Sequence, residues 1–424
     1  MEAYSTFDRW KPIPHLTGWK SISHLTGWKS ISHLTGWKPI SLLTGWKPIP
    51  LSMQQILITG ANGFIGRNLD LALRRTGEFQ LVHSLRSDST DALRNKVRDA
   101  DVVFHLAGAN RPQDPSDFQK VNVEVTRTIV DAIRECTTKP QRLIYSSSIQ
   151  ALADNPYGQS KRQAETLIES IAGIENKFVH IYRLPNVFGK WSRPEYNSAV
   201  ATFCYNIARG LPITISAPER LMEMVYVDDV VRTWMEQLRG TPRSDVYCEV
   251  NPVLRCTLAN LAERIQAIHD MRTSLHVPDL SDRLNHALHA TYTSFLPEND
   301  LARSVQLRTD ERGWLFELTK SPAFGQVFVS TTKPGVTRGN HYHDSKIERF
   351  CLVQGKGLIR FRKMDTGEVI EYPVSDSNIQ LVDIPPGYTH SIENVGASDM
   401  LVLFWANEIF DPNVPDTYFE KVLH

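Results

Sequence analysis

Residues 54–73, QQILITGANGFIGRNLDLAL, leave few folds open. An apolar run suited to a buried strand passes within one turn into a segment whose apolar positions Phe64, Ile65, Leu69 and Leu73 fall at helical spacing. Gly60, Gly63 and Gly66 stand at the junction. Glycines there let the backbone turn tightly and come close to a pyrophosphate, which then sits on the free N–H groups at the helix start. The expected cofactor contacts are therefore Gly60, Gly63 and Gly66 with the first helical residues Phe64 and Ile65. Further strands, FQLVHSL, DADVVFHLAGANRP and RLIYSSSIQA, alternate with helical stretches. That order predicts an α/β doubly wound parallel sheet of the Rossmann type.

The end of the second strand bears on the cofactor. A site for NAD places an acidic residue there to hold the ribose, whereas this chain reads HSLRSDS, with Arg86 near the strand end. Arginine accepts a 2′-phosphate, so NADPH is the expected cofactor; Asp88, two residues on, is the competing ribose partner. Downstream, YSSSIQALADNPYGQSK sets Tyr157 four residues before Lys161, on one helix face, after a serine run at Ser146, Ser147 and Ser148. A lysine ammonium in that place is expected to hold the phenol's pKa down, so that Tyr157 gives a proton to a forming alkoxide while a serine hydroxyl orients the carbonyl.

With these motifs in this order, residues 53–296 resemble the extended short-chain dehydrogenase/reductase family acting on nucleotide sugars. The resemblance implies that Ser148, Tyr157 and Lys161 are catalytic, with Ser147 as the fallback serine. It also implies cofactor contacts at Gly60, Gly63, Gly66, Ala107, Tyr157 and Lys161, and an ordering role for Asn122. RLPNVFGKW, with Arg183 and Asn186, and MVYVDDVV look like the family's nucleotide-sugar side. Dehydratases of the family follow the catalytic Ser/Thr with an acidic residue, but here Ile149 and Gln150 follow Ser148. Reduction or epimerisation is expected rather than dehydration.

After residue 297 the texture changes to short alternating runs, GQVFVSTT, RFCLVQG and GLIRFRK, separated by glycines, which predicts an all-β domain over 303–424. Gly335, His341, His343, Glu348 and Gly355 match the spacing of the first cupin motif. PPGYTHSIEN supplies His390 and Asn394 of the second, without its leading glycine. In a double-sheet jelly-roll barrel that alternation turns His341, His343, Glu348 and His390 inward, a set suited to Zn, Fe, Mn or Ni, with zinc the expected ion. A short-chain reductase followed by this cupin closely resembles the bifunctional capsular polysaccharide synthesis enzymes. That resemblance implies a metal cupin that epimerises C3 of a UDP-4-keto-2-acetamido-2,6-dideoxy-L-hexose, and a reductase domain that then reduces the C4 ketone with NADPH. The product lies on the way to UDP-N-acetyl-L-fucosamine for surface polysaccharide. The competing readings are an NADP-dependent reductase whose cupin is purely structural, and a non-catalytic NADP-sensing protein.

Composition limits the partners. Lys plus Arg equals Asp plus Glu, 47 against 47, so no basic excess points to nucleic acid. No apolar run approaches the roughly 20 residues that span a bilayer. Cys136, Cys204, Cys248, Cys256 and Cys351 form no CxxC pair, which suits reduced thiols. A soluble cytoplasmic enzyme with a UDP-sugar substrate is expected, and by family habit a homodimer. Residues 1–52 are set apart: HLTGWKSIS recurs with a nine-residue period that places Trp-Lys at 10, 19, 28, 37 and 46. A unit so short buries no face against its neighbour. Against a Trp-rich adhesive arm, the reading preferred is a tandem DNA repeat translated ahead of Met53, or a disordered segment.

Overall fold

A computed structural model describes residues 53–241 and 244–423, so the nine-residue repeat over 1–52 lies outside the described residues. The strands of the first half are β1 (Gln54–Thr59), β2 (Phe79–Ser84), β3 (Val102–His105), β4 (Gln141–Ser148), β5 (Lys177–Leu184), β6 (Asn186–Phe188), β7 (Leu221–Tyr226), β8 (Tyr247–Cys248) and β9 (Leu254–Thr257). Its helices are α1 (Phe64–Thr76), α2 (Thr90–Asp99), α3 (Val125–Glu135), α4 (Pro156–Glu169), α5 (Ala199–Ile207), α6 (Val227–Arg239), α7 (Leu258–Ser274) and α8 (Arg283–Thr293). Six strands pair in the order β2-β1-β3-β4-β5-β8, all parallel. Both faces are covered. Ile56 and Ile58 of β1 pack with Leu69 and Leu73 of α1 and Trp234 of α6, while Leu57 between them packs with Val97 of α2 and Ile129 and Ile133 of α3. The strand's period of two sends alternate residues to two separate cores, as the doubly wound reading requires.

The second half is β10 (Arg308–Asp310), β11 (Gly313–Ser321), β12 (Gly325–Thr332), β13 (Thr337–Tyr342), β14 (Glu348–Gln354), β15 (Lys356–Lys363), β16 (Val369–Ser375), β17 (Leu381–Ile384), β18 (Tyr388–Asn394), β19 (Met400–Ala406) and β20 (Tyr418–Phe419). They form two antiparallel sheets, β10-β11-β12-β19-β14-β17 and β16-β15-β18-β13-β20. One core joins them: Phe350, Leu352 and Phe404 from the first sheet meet Ile359, Phe361 and Ile392 from the second. This is the jelly-roll expected from the alternation. The two halves also touch through the main chain, where the N–H of Val277 donates to the oxygen of Lys320 and the N–H of Lys320 to the oxygen of Leu275.

A polar chain runs through the sheet at the carboxyl ends of β1 and β3. The Thr59 hydroxyl accepts from the N–H groups of Leu106 and Ala107, each at 3.2 Å, and lies 2.9 Å from Nδ1 of His105. Nε2 of the same ring lies 2.8 Å from the Thr126 hydroxyl, whose proton goes to the Asn122 carbonyl at 2.7 Å. Thr126 can then only accept from the ring, so His105 carries its proton on Nε2 and accepts from Thr59 on Nδ1. Both nitrogens are taken by a neutral ring. Burial, with the Lys161 charge adding to it, pushes the His105 pKa down to about 3.

The unfolded chain binds a proton at His105 near pH 6.5, while the folded chain refuses it until about pH 3. Stability from this site is present above pH 6.5 and is lost as pH falls through that window. By pH 5 the loss should be about 2 kcal/mol. In urea unfolding at pH 7 and pH 5, H105Q should show a smaller drop between the two pH values than the parent. Equal drops would mean that His105 titrates freely in the fold.

Candidate functional site

Two sites emerge. The first lies at the end of the parallel sheet. Gly60 has a φ of +72°, and a Cβ on it would sit 2.8 Å from the Ala107 nitrogen, so only glycine lets β1 turn this close to the end of β3. Gly63 precedes α1 and makes no side-chain cap, and Phe64, Ile65 and Gly66 follow in its first turn, which carries no acidic residue. That helix start suits an anion. Beyond β2, the Arg86 side chain is 90% exposed and its nearest ion-pair partner, Asp117, is 3.8 Å away. Asp88 is engaged elsewhere: it accepts from the Leu85 N–H at 3.0 Å and from Lys96 at 2.6 Å, and Lys96 holds its carboxyl below the ordinary value. Of the two groups that compete for the ribose, the cation is the accessible one.

Tyr157 and Ser148 are brought together by a close approach of backbone. Asn155 caps α4 by accepting from the Gly158 N–H at 2.8 Å, and Pro156 starts the helix. A Cβ at Gly158 would lie 2.2 Å from the Gln150 carbonyl, so the residue after the tyrosine must be glycine for α4 to rest on the turn that follows Ser148. Lys161, 5% exposed, donates to the Ser146 carbonyl at 3.0 Å and lies over the Tyr145 ring. Its Nζ and the Asn122 Oδ1 both stand 3.3 Å from where a Gly108 side chain would begin. Asn122 sits in a π-helical turn, Phe118–Glu124. It accepts from the Ala109 N–H at 2.7 Å and donates to the Ala109 oxygen and the Ser160 hydroxyl, both at 2.9 Å; Ser160 donates in turn to the Tyr157 carbonyl at 2.8 Å.

Burial pushes the Lys161 ammonium down to about 8, with Glu165 pulling the other way. One expectation needs correcting. Lys161 does not depress the Tyr157 phenol here: burial pushes the phenol up, and the group that opposes it is the Ser148 hydroxyl. Ser147 is committed elsewhere, donating at 2.5 Å to the buried Glu165, which also takes the Arg183 guanidinium at 2.7 Å. Asn186 donates to the Glu223 carbonyl at 2.9 Å. The roles of Thr59, His105, Thr126 and Glu165 were not anticipated. His105 stood in the quoted HLAG, but nothing in its spacing tied it to residues 59 and 126.

The second site closes one end of the barrel. His341 lies on β13 opposite His390 on β18, across a register shift between Gly339 and His341. Such a bulge re-aims the side chain beside it. His343 follows β13, and Glu348 opens β14 in the other sheet. Each of the four offers an atom, and these lie within 4.8 Å of one another. His343 and His390 are buried, with Nε2 atoms 3.4 and 3.3 Å from the same Glu348 oxygen. Both Nε2 atoms thus meet Glu348 only at long ion-pair distance, and Nδ1 of His390 has no hydrogen-bond partner among the described residues. Buried nitrogens left this way are costly unless something ligates them, and three imidazoles with a carboxylate fit a divalent transition metal.

The local charges agree. Burial pushes the Glu348 carboxyl up, but His343 and His390 outweigh it and hold it well below the usual carboxylate range. Burial, with His390 adding to it, takes His341 down to about 4. A cavity of about 130 Å³ borders the cluster, lined by His341, Glu348, Arg338 and Ser330 and by apolar side chains including Phe328 and Phe404. Asn394, by contrast, is structural: its amide donates to the carbonyls of Thr332 and Ser398.

The chain has recognisable relatives. Residues 56–245 match the NAD dependent epimerase/dehydratase family, and residues 308–418 the polysaccharide biosynthesis C-terminal domain. It is 43% identical over 364 residues to the UDP-2-acetamido-2,6-beta-L-arabino-hexul-4-ose reductase of Pseudomonas aeruginosa, covering 86% of this chain and 98% of that protein. The crystal structure of the capsular polysaccharide assembling protein CapF from Staphylococcus aureus superposes with a TM-score of 0.80 at 42% identity, over 87% of this chain and 100% of that one. A structure of CapF with the inhibitor 3-isopropenyl-tropolone gives 0.76 at 37% identity, over 87% and 100%.

If the four groups hold a cation, Zn²⁺ at about a hundred times its dissociation constant should stabilise the chain by about 2.7 kcal/mol, seen as a higher unfolding temperature. His390→Ala should remove that shift. A shift of equal size in the variant would place the bound ion elsewhere.

Proposed function

The chain belongs to the CapF-like bifunctional capsular polysaccharide enzymes, in which an NAD-dependent epimerase/dehydratase domain precedes a polysaccharide biosynthesis C-terminal domain, and on that premise we propose that it carries out two successive reactions on one UDP-sugar. Residues 303–424 invert C3 of a UDP-4-keto-2-acetamido-2,6-dideoxy-L-hexose at His341, His343, Glu348 and His390. Residues 53–296 then reduce the C4 ketone with NADPH. The sugar class follows the activity named for the Pseudomonas aeruginosa relative. The four-group cluster supports the first step, because a purely structural barrel gains nothing from burying three imidazoles around one carboxylate with Nδ1 of His390 unpartnered among the described residues.

In the crevice, NADPH supplies the hydride to C4. Tyr157 gives its proton to the C4 oxygen, and Ser148 beside it orients the carbonyl. Burial that raises the phenol keeps it protonated until it acts, and the Ser148 hydroxyl is the group that favours its anion; Lys161, one helical turn on, is held by the Ser146 carbonyl. Arg86 takes the 2′-phosphate. A divalent ion held in the barrel would supply stabilisation of the negative charge that develops as C3 loses its proton. His341, His343, Glu348 and His390 would hold that ion, and Phe328 and Phe404 give the adjoining cavity apolar walls. Tropolones chelate divalent metals through adjacent oxygens, so the tropolone inhibitor of CapF is in keeping with this reading. Reduction at C4 removes the ketone that acidifies C3, and so traps the epimerised sugar.

The two steps should separate in deuterated water with a UDP-4-keto sugar and NADPH. Tyr157→Phe should lower NADPH oxidation about a hundredfold or more, while deuterium still enters C3. His390→Ala should do the reverse, with reduction continuing on the unepimerised ketone. Both variants are checked for NADPH binding and thermal unfolding. If C3 exchange stops in Y157F and persists in H390A, epimerisation does not belong to the barrel.

Arg86→Glu removes a phosphate partner and supplies a ribose acceptor. The ratio of kcat/KM for NADPH to that for NADH should fall at least about tenfold, the worth of one charge-assisted hydrogen bond. An unchanged ratio would remove Arg86 from the cofactor site.

A further inference from the structure

The ring of His343 is held by a segment far along the chain. Its Nδ1 lies 2.6 Å from the main-chain oxygen of Asp416. A carbonyl only accepts, so Nδ1 carries the proton, and the lone pair is left on Nε2, the atom that faces Glu348. The carboxylate of the same Asp416 accepts from the N–H groups of Asp344 at 2.8 Å, Ser345 at 3.0 Å and Lys346 at 2.8 Å, and from the Ser345 hydroxyl at 2.9 Å. Burial pushes that carboxyl up, and the donors outweigh it and hold it well below the usual range.

The surroundings fix the segment in turn. Lys346, almost fully buried, donates to the Pro415 carbonyl at 2.6 Å and the Thr417 hydroxyl at 3.3 Å, gripping the chain on both sides of Asp416. Immediately beyond, β20 pairs with His341 and Tyr342 on β13. Asp416 itself has a φ of +39°, a conformation that costs most residues energy and that Asp and Asn tolerate better. With the backbone so turned, one residue applies its carbonyl to the ring of His343 and its carboxylate to the three residues that follow.

We propose that Asp416 is a positioning residue for the metal centre: it sets the tautomer of His343 and locks the 343–346 turn, so that Nε2 points at the site shared with His341, Glu348 and His390. The proposal rests on the metal reading of that cluster. Metal-bound histidines generally need their other ring nitrogen fixed, and loss of such a partner weakens metal binding by about ten- to a hundredfold. A cap that served only the turn would leave the ring free to rotate. Here the same residue controls both.

Two variants of the full chain test this. Asp416→Gly keeps the positive φ and the carbonyl but removes the carboxylate. Asp416→Asn keeps the conformation and one acceptor but removes the charge. Zn²⁺ affinity is read by competition with a chromophoric chelator, and the His343 tautomer by long-range ¹⁵N–¹H correlation in metal-free protein. The parent should show His343 protonated on Nδ1. D416G should bind Zn²⁺ about ten- to a hundredfold more weakly, with D416N between, and should show His343 in mixed tautomers while His341 is unchanged. Should D416G unfold without metal, the same two readouts on D416N decide. Parent-like affinity and tautomer in the folded variants overturn the proposal. If the parent itself takes up no Zn²⁺, the metal reading fails, and the His343 tautomer still decides whether Asp416 orients the ring.

Discussion

The crevice depends on a single line of hydrogen bonds in which each proton has one destination. Thr59 donates to His105, His105 to Thr126, Thr126 to Asn122, Asn122 to Ser160 and Ser160 to the carbonyl of Tyr157. The line crosses β1, β3, α3, a π-helical turn and α4. Apolar packing beneath the sheet sets how near these elements come, but it has no direction. The polar line has direction, and a protonated His105 would break it by donating where it must accept. The helix bearing Tyr157 is thereby registered to the turn after β1, and the register is enforced by the cost of leaving any member buried and unpaired.

The two sites treat buried polarity in opposite ways. Around Tyr157, protein groups satisfy one another: Lys161 has the Ser146 carbonyl, and Glu165 has both Ser147 and Arg183. In the barrel, Nδ1 of His390 has no hydrogen-bond partner among the described residues, and the Nε2 atoms of His343 and His390 crowd on one Glu348 oxygen. The first arrangement is complete before substrate arrives, as suits proton transfer from a fixed phenol. The second would be completed by the divalent ion proposed for it. A residue that reads as an ordinary ligand in one site and as a brace in the other is therefore told apart by whether its polar atoms are already taken.

What was legible from the chain beforehand was what short spacing encodes. Gly60, Gly63 and Gly66, the alternation of β1 and of β14, the Tyr157–Lys161 pair and the four groups of the barrel all express a local period or a turn. What was not legible lies in contacts between distant segments. Ser147 and Ser148 are neighbours at the end of one strand and point to opposite faces, and only the placing of Glu165 against Ser147 assigns them. Arg183 read as a substrate group, and the same Glu165 takes it. The sign of the shift at Tyr157 depended on burial and on Ser148, quantities no spacing contains. Asp88 read as the competing ribose partner, and its contact with Lys96 could not be read from spacing.

His343 and the carbonyl that orients it are 73 residues apart in the chain. A ribosome delivers them in that order. During synthesis the histidines and Glu348 are all present before Asp416 can reach the 343–346 turn, so for part of its life the nascent chain carries His343 without the carbonyl that fixes its ring. The orientation of His343 is therefore a property of the chain once Asp416 has been made and folded back, and not of the 343–348 segment alone.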